Sequence, residues 1–247
     1  MENMENMKKV LSFKFKRPFT LWAISDAHIG AREHDSVKFR ALIEKIKNDP
    51  DAYCFFNGDN LELIPPGYYI SQEGQTLTVE QQVEAFIALL KELGRKVLFV
   101  RAGNHENRTF NLCGVDIIKR IAEEVGVPIL GMGMQAVNFK VEGRKIKIVS
   151  THGEGGNFAK IMASMQMGMP GADLYFMGHT HEMVCNSSYE IVATEGYERH
   201  TPILLVVGGS FSKWADYARE KNRRPLQTGC FAFRLSKDGL QEHGRFV

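Results

Sequence analysis

The chain alternates short apolar runs with amphipathic segments. Continuous apolar runs of four to eight residues, rich in β-branched and aromatic side chains, are typical of strands covered on both faces. They predict strands at 19–25, 52–57, 96–102, 145–151, 173–179 and 202–208. Apolar residues at helical spacing predict helices at 36–48, 78–94 and 114–126. This alternation favours an α/β architecture of packed layers.

The two ends of the chain differ from this pattern. Residues 226–247 contain an apolar run, a Lys-Asp-Gly turn and a second extended run, which predicts a β-hairpin that completes a sheet. Residues 1–18 are expected to form an N-terminal extension, partly disordered.

Residues 64–75 carry Pro, Gly and Tyr and predict a surface loop, although the sequence leaves open whether it is a lid. No linker divides the chain, so 1–247 is expected to be one domain.

Composition adds few restrictions. The net charge of +2 neither requires nor excludes a polyanionic partner. No apolar run approaches the roughly 20 residues of a membrane span, so no transmembrane segment is expected. The cysteines are scattered without a CxxC pair, which favours reduced thiols in a cytoplasmic protein. They are Cys54, Cys113, Cys185 and Cys230.

Polar residues collect where the predicted strands end. Five strands run into the motifs D-A-H, G-D-N, G-N-H-E, H-G and G-H-T-H, which together hold five of the eight histidines. Since ligands of α/β sheets lie at the carboxyl ends of strands, we expect these side chains to converge. Residues two apart in an extended chain point the same way, which applies to Asp26 with His28 and to His179 with His181.

These side chains offer imidazole, carboxylate and amide donors, which suit divalent Mn, Fe, Co, Ni or Zn. Seven candidates exceed the roughly four donors of one tetrahedral site and fit two ions that share a carboxylate. They are Asp26, His28, Asp59, Asn104, His152, His179 and His181. Two such ions with a shared hydroxide can support in-line attack on phosphorus. Each motif alone is weak, because a strand-end Asp is more often a cap, and the joint order carries the interpretation.

In this order the motifs resemble the calcineurin-like metallophosphoesterase family, whose pattern is DxH, GD, GNH[DE], a lone His before Gly, and GHxH. The resemblance spans residues 26 to 181 and implies a four-layer α/β/β/α sandwich with two divalent ions. It implies that the first ion is held by Asp26, His28, Asp59 and His181. It implies that the second ion is held by Asp59, Asn104, His152 and His179.

The same resemblance implies that His105 is catalytic rather than a ligand, acting as the acid or charge stabiliser that faces the leaving group. A neighbouring carboxylate, Glu106 or Asp26, is expected to tune it. Substrate contacts are expected from Arg32, which follows D-A-H, from Arg108, which follows G-N-H-E, and from Asn60, although solvated loop arginines are equally compatible with the sequence.

The resemblance therefore implies a metal-dependent phosphoric ester hydrolase, with a phosphodiester favoured over a monoester and manganese as the ion for assays in vitro. A DNA or RNA nuclease is the alternative within this chemistry. The basic stretch 219–225 and the stacking candidates Tyr68 and Tyr69 favour it, whereas the low net charge disfavours it. Some motif wording also resembles a membrane-peripheral pyrophosphatase branch. A non-catalytic scaffold on the same fold is a third hypothesis, disfavoured because converging carboxylates are costly to keep without their ions.

Overall fold

The structure, a computed structural model, describes residues 10–67, 72–155, 157–194, 196–213 and 226–247. Its strands are β1 Leu11–Phe15, β2 Phe19–Ile24, β3 Ala52–Asn57, β4 Val97–Arg101, β5 Ile129–Leu130, β6 Gln135–Val141, β7 Arg144–Thr151, β8 Leu174–Met177, β9 Met183–Thr194, β10 Tyr197–Gly208, β11 Cys230–Ser236 and β12 Gly239–Phe246. Its helices are α1 Ser36–Asn48, α2 Val79–Leu93, α3 Asn104–Cys113, α4 Ile117–Val125 and α5 Phe158–Gly168.

The strands form two six-stranded sheets. Sheet I has the order β1-β6-β7-β8-β10-β9, and sheet II has the order β12-β11-β2-β3-β4-β5. In sheet II the strands β2, β3, β4 and β5 are parallel, and in sheet I the strands β7, β8 and β10 are parallel. The parallel strands of each sheet therefore all end on the same side of that sheet, and the motifs follow these carboxyl ends.

Three apolar clusters separate four layers. Trp22, Ile24 and Phe56 face one way from sheet II and pack against α1, α2 and α4. Neighbouring residues on the same strands face the other way and pack against sheet I, since side chains alternate along a strand. The outer face of sheet I packs against methionines of α5. The predicted α/β/β/α sandwich is confirmed.

Side-chain caps mark the starts of the helices. Asp35 caps α1 by accepting from the Lys38 amide, and the buried stripe of that helix is Phe39, Leu42, Ile43 and Ile46. Thr78 and Gln81 form a reciprocal capping box at the start of α2. The predicted helices at 36–48, 78–94 and 114–126 correspond to α1, α2 and α4, although α4 is shorter.

The predicted strands are present, with β10 beginning five residues earlier than expected, and the C-terminal residues form the antiparallel pair β11–β12. Within the expected N-terminal extension, residues 11–15 form β1, which pairs in parallel with β6 and has side chains of alternating burial. Residues 1–9 lie outside the described part of the chain. None of the described helices is long and apolar enough to cross a membrane.

The inter-sheet layer is held largely by aromatic stacking, which gives a first prediction. Phe55 is fully buried, stacks on Phe99 with ring centroids 4.7 Å apart and meets Phe176 edge to face at 5.4 Å. Replacing Phe55 by Ala should reduce the free energy of unfolding by about 3–5 kcal/mol, because it leaves a cavity and removes the ring contacts. Urea denaturation measures this loss.

The matched control is Phe110→Ala, since the Phe110 side chain is 53% exposed on α3. It should change the unfolding free energy by less than about 1 kcal/mol. Equal losses in the two variants would contradict the view that the inter-sheet layer carries the stability.

Candidate metal centre

The five motifs meet at one end of the sandwich. Asp26 and His28 follow β2, Asp59 follows β3, Asn104 opens α3 directly after β4, and His152 follows β7. The loops after β2 and β3 stay paired beyond their strands, because the Asp26 amide donates to the Gly58 carbonyl and the His28 amide donates to the Asp59 carbonyl. Sheet II thus supplies one half of the site, and sheet I supplies His152, His179 and His181.

The backbone at this site lies in a conformation that side chains with a Cβ seldom adopt. Positive φ values between 48° and 70° occur at Asp26, His28, Asp59, His179 and His181. Each such residue costs on the order of 1 kcal/mol relative to extended backbone. Five strained residues on three converging loops indicate a functional centre, since strain of this kind persists only where surrounding structure enforces it.

Two motif glycines allow the close approach of the loops. A Cβ on Gly103 would overlap the carboxylate of Asp59, and a Cβ on Gly178 would overlap the Ser25 hydroxyl and lie 2.7 Å from Oδ2 of Asp26. The glycine in each motif is therefore required because the acidic group of another motif occupies that space.

The first cluster joins Asp26, His28 and His181. Their ligand atoms lie within 4.8 Å of one another. Nε2 of His28 is 3.0 Å from Nε2 of His181, which in turn is 3.4 Å from Oδ1 of Asp26. The Ser25 hydroxyl and the His179 amide donate to the Asp26 carboxylate and hold it in place.

The second cluster joins Asp59, His152 and His179, whose ligand atoms also lie within 4.8 Å of one another. Oδ1 of Asn104 is 3.0 Å from Nε2 of His152 and 2.8 Å from Nδ1 of His179. Nε2 of His152 is 3.3 Å from Oδ2 of Asp59. The structure thus brings together all seven candidate ligands in two adjoining groups.

The donor chemistry of both groups fits cations. Nδ1 of His28 lies 2.8 Å from the Glu62 carboxylate, and Nδ1 of His152 lies 2.9 Å from the Asn57 carbonyl oxygen. In the neutral imidazoles these contacts assign the proton to Nδ1 and leave the Nε2 lone pairs pointing inward. Lone pairs then face other acceptors, including Oδ1 of Asn104 and Oδ2 of Asp59, so that only protons or metal ions can fill the space between them.

The pKa shifts of the buried acidic and imidazole groups agree with a cation site. Burial raises the pKa of Asp59, but the charges of His105 and His152 outweigh burial and hold this pKa well below its ordinary value. Burial lowers the pKa of His152, whereas the charge of Asp59 raises it, to about 10. The Asp59 carboxylate therefore stays ionised and attracts a proton to His152 when no other cation is bound. A metal ion would displace that proton, since a ligating histidine is neutral.

His105 lies at the rim of the site, on the first turn of α3. Its amide donates to Oδ1 of Asp59 at 2.9 Å, and its Nε2 is 3.7 Å from Oδ2 of the same carboxylate. Nδ1 lies 2.8 Å from the Glu62 carbonyl oxygen, and Arg108 reaches Nε2 at 2.7 Å. His105 also lies within ligand distance of His28 and Asp59, so that distance alone does not separate it from the candidate ligands.

The expectation that Glu106 or Asp26 tunes His105 is wrong, because Glu62 occupies that position. The Glu62 carboxylate is 3.4 Å from Nδ1 of His105 and 2.8 Å from Nδ1 of His28. Burial raises the pKa of Glu62, but hydrogen bonds with His105 and His28 hold it below its ordinary value. Sequence reasoning missed Glu62, although its place three residues after Asp59 is a usable signal.

Glu106 instead braces the backbone of the site. Its buried carboxylate accepts amide hydrogens from Asp59, Asn60, Leu61 and Gly103 at 2.6 to 3.1 Å. Four donors on one carboxylate fix the loop after β3 against the start of α3. The G-N-H-E motif therefore supplies a candidate ligand, a rim histidine and a structural acceptor in consecutive residues.

The expected substrate contacts fall into different places. Arg108 lies in the site, where it donates to the Glu62 carbonyl. Arg32 is exposed on the loop before α1, and its amide donates to the Gly74 carbonyl. Asn60 is buried, and its side-chain amide donates to the Arg101 carbonyl. The stacking candidates Tyr68 and Tyr69 and the basic stretch 219–225 lie outside the described residues.

A family model described as calcineurin-like phosphoesterase matches residues 19–183. This segment contains all five motifs. No curated protein sequence matches the chain. The family match thus rests on the pattern of the site and of the strands that carry it.

Solved structures with a similar fold are distant in sequence. A single mutant of Vps29 from Entamoeba histolytica is 13% identical and has a TM-score of 0.49 over 90% of this chain and 89% of that chain. Phosphoesterase YfkN from Bacillus subtilis is 14% identical, with a TM-score of 0.46 over 93% and 89%. Nuclease MPE from Pseudomonas putida is 11% identical, with a TM-score of 0.41 over 90% and 86%.

The geometry gives a prediction about metal stoichiometry. Asp59→Ala should lose both ions, because the Asp59 carboxylate contacts the second cluster through His152 and adjoins the first through His28. Elemental analysis after dialysis against a metal buffer should find about two ions per wild-type chain and fewer than about 0.3 in the variant.

The matched control is Asp51→Ala, at the other end of β3, where the carboxylate forms an exposed ion pair with Arg17. That variant should keep the wild-type stoichiometry, since exposed ion pairs contribute little. Two ions retained in Asp59→Ala would show that this carboxylate is not shared.

Proposed function

Because the chain belongs to the calcineurin-like phosphoesterase family, we propose that it is a metal-dependent phosphodiesterase with a binuclear centre. The observation that carries this proposal is the pair of adjoining acceptor clusters, one around Asp26 and one around Asn104, with the Asp59 carboxylate between them. The free cysteines agree with a cytoplasmic location, which is part of the same proposal.

Members of this family typically bind divalent metals, and the donor set fits two of them. Asp26, His28, Asp59 and His181 would hold one ion. Asp59, Asn104, His152 and His179 would hold the other. When bound, such ions supply an activated water and positive charge that offsets the charge developing on the phosphoryl oxygens. We use manganese as the assay ion because mixed nitrogen and oxygen donors accept it.

In this proposal the residues at the rim of the metal centre orient the substrate and offset its negative charge. Glu62 fixes both His28 and His105 by hydrogen bonds, so that the rim histidine keeps a set orientation beside the shared Asp59 carboxylate. In the proposed reaction a water molecule loses a proton to the solvent, its oxygen forms the new bond to phosphorus, and the bond from phosphorus to the leaving oxygen breaks. His105 delivers a proton to that leaving oxygen as it departs.

Arg108 is the substrate residue in this proposal. Its guanidinium lies between the Glu62 carbonyl and Nε2 of His105, at the rim of the site. A phosphoryl oxygen that enters would take the contact that His105 now receives, because charge-assisted bonds from arginine to phosphate are strong. The Glu62 carbonyl would retain the second guanidinium nitrogen.

The first functional prediction concerns substrate class. With manganese, the protein should hydrolyse bis-p-nitrophenyl phosphate with a kcat/KM at least about tenfold above that for the monoester p-nitrophenyl phosphate, because the single histidine of G-N-H-E resembles the phosphodiesterase and nuclease branches of the family. Release of p-nitrophenolate measures both reactions. Turnover of the monoester alone would contradict the diester preference, and no turnover of either with two ions bound would favour a non-catalytic scaffold.

The second functional prediction separates catalysis from metal binding. His105→Ala should lower kcat for the diester by about 10²–10³-fold, the contribution of a positioned acid, while keeping the two ions. The surface variant His200→Ala, in which a half-exposed histidine lies 3.5 Å from the Glu198 carboxylate, serves as control and should keep wild-type kcat and stoichiometry. Loss of one ion in His105→Ala would show that this histidine is a ligand.

A further inference from the structure

A cleft of about 640 Å³ opens beside the metal centre on the side of sheet I. It lies between the loop 131–134 and helix α5. Its lining includes Met132, Met134, Ile161 and Met165, with Lys160 and Ser164 at the rim. We name it the methionine cleft. Its volume lies within the range of small-molecule sites, about 300–1,000 Å³.

The methionine cleft adjoins the candidate metal centre. Thr151 and Gly153, which flank His152 in the chain, both line it. A Cβ on Gly153 would lie 3.5 Å from Cβ of His179, so this part of the lining is next to two candidate ligands of the second cluster. The His152 amide donates to the Met132 carbonyl at 3.3 Å, which links the cleft wall to a candidate ligand.

The loop wall of the cleft is held by a buried cation that the proposed reaction does not use. Arg101 is fully buried at the end of β4, and its guanidinium donates to the carbonyls of Gly131 and Gly133 on the loop. It also donates to the carbonyl and hydroxyl of Ser150 on β7. A charged group wrapped by four oxygens fixes the loop 131–134 in one conformation.

The wall that α5 forms is also closely packed. A Cβ on Gly168 would lie 2.6 Å from Cε of Met134, so the methionine side chain lies directly over α5 at a residue without a side chain. Met165 is buried on the same helix. Thioether sulfur atoms contact aromatic rings favourably, and flexible methionines adapt to flat ligands. The cleft is therefore a preformed apolar slot with a polar rim.

Resting on the proposed function, we infer that the methionine cleft binds an aromatic substituent of the phosphodiester, the one that stays on phosphorus after hydrolysis. The leaving group faces His105, which lies on α3 beyond β4 of sheet II. The cleft lies on the sheet I side, next to His152 and His179. The substrate class is thus a phosphodiester that carries an aromatic ring, such as a nucleobase or a phenyl group, on its retained side.

The test compares two diesters that release the same leaving group. Bis-p-nitrophenyl phosphate retains an aromatic ring, whereas methyl p-nitrophenyl phosphate retains a methyl group. Ser164→Trp fills the rim of the cleft from α5, and Ala163→Trp places the same side chain on the exposed neighbouring position, which does not line the cleft. Each variant is compared with wild type for each substrate, so the different intrinsic reactivities of the two diesters cancel.

We expect Ser164→Trp to lower kcat/KM for bis-p-nitrophenyl phosphate by about tenfold, the equivalent of losing one aromatic contact site. The value for methyl p-nitrophenyl phosphate should change by less than about twofold, and Ala163→Trp should change neither. Equal effects on both diesters, or none, would overturn the cleft inference while leaving the phosphodiesterase proposal intact. No wild-type turnover of either diester would remove the proposed function itself.

A binding measurement gives a second readout that does not require turnover. Phenylphosphonate and methylphosphonate cannot be hydrolysed and present the same anionic group, and calorimetry with the manganese-loaded protein measures their affinities. Wild type should bind phenylphosphonate about tenfold more tightly. Met134→Ala should remove that preference, whereas Met167→Ala, on the exposed face of α5, should keep it. Equal affinities for the two ligands in wild type would overturn the inference.

Discussion

The structure depends on one electrostatic constraint, the convergence of acceptor groups at the edge where two sheets meet. Asp26 and Asp59 are almost completely buried, and the inward nitrogens of His28 and His152 offer lone pairs to the same space. Such a cluster is costly unless cations occupy it, because buried charge without a partner is strongly destabilising. Because the donors come from both sheets, any cations held there also join the two halves of the sandwich.

The scaffold around the cluster is organised to keep these groups from relaxing apart. The carboxylate of Glu106 accepts hydrogen bonds from four backbone amides. The Ser25 hydroxyl and the His179 amide donate to the Asp26 carboxylate. These bonds stabilise the positive φ values at the site, which would otherwise revert to extended backbone. The apolar layer between the sheets lies beneath these loops. Its side chains are packed without this backbone strain, so the layer holds the strained loops in place.

Much of this could be predicted from the sequence, for identifiable reasons. Apolar runs predict the central strands, and the rule that ligands lie at the carboxyl ends of strands predicts one site for the seven side chains. The short strand β5 and the polar strand β9 gave no continuous apolar signal. Helix α3 was missed because its stripe is short and its first turn carries the G-N-H-E motif. Glu62, Glu106 and Arg101 act through tertiary contacts 30 to 49 residues away in the chain, which spacing does not reveal.

The division between the sheets has a consequence for how such a site can diversify. The rim residues His105, Glu62 and Arg108 all come from the sheet II side. His105 and Glu62 hydrogen-bond to the candidate ligands Asp59 and His28, and Arg108 hydrogen-bonds to His105. Substitutions there disturb the metal centre. Among the described residues, the lining of the methionine cleft includes none of the candidate ligands, and the cleft adjoins them through the loop 131–134 and the neighbours of His152. On the proposed function, its side chains can therefore change size and polarity without altering the donor set, so that substrate preference can change on the sheet I side independently of the chemistry.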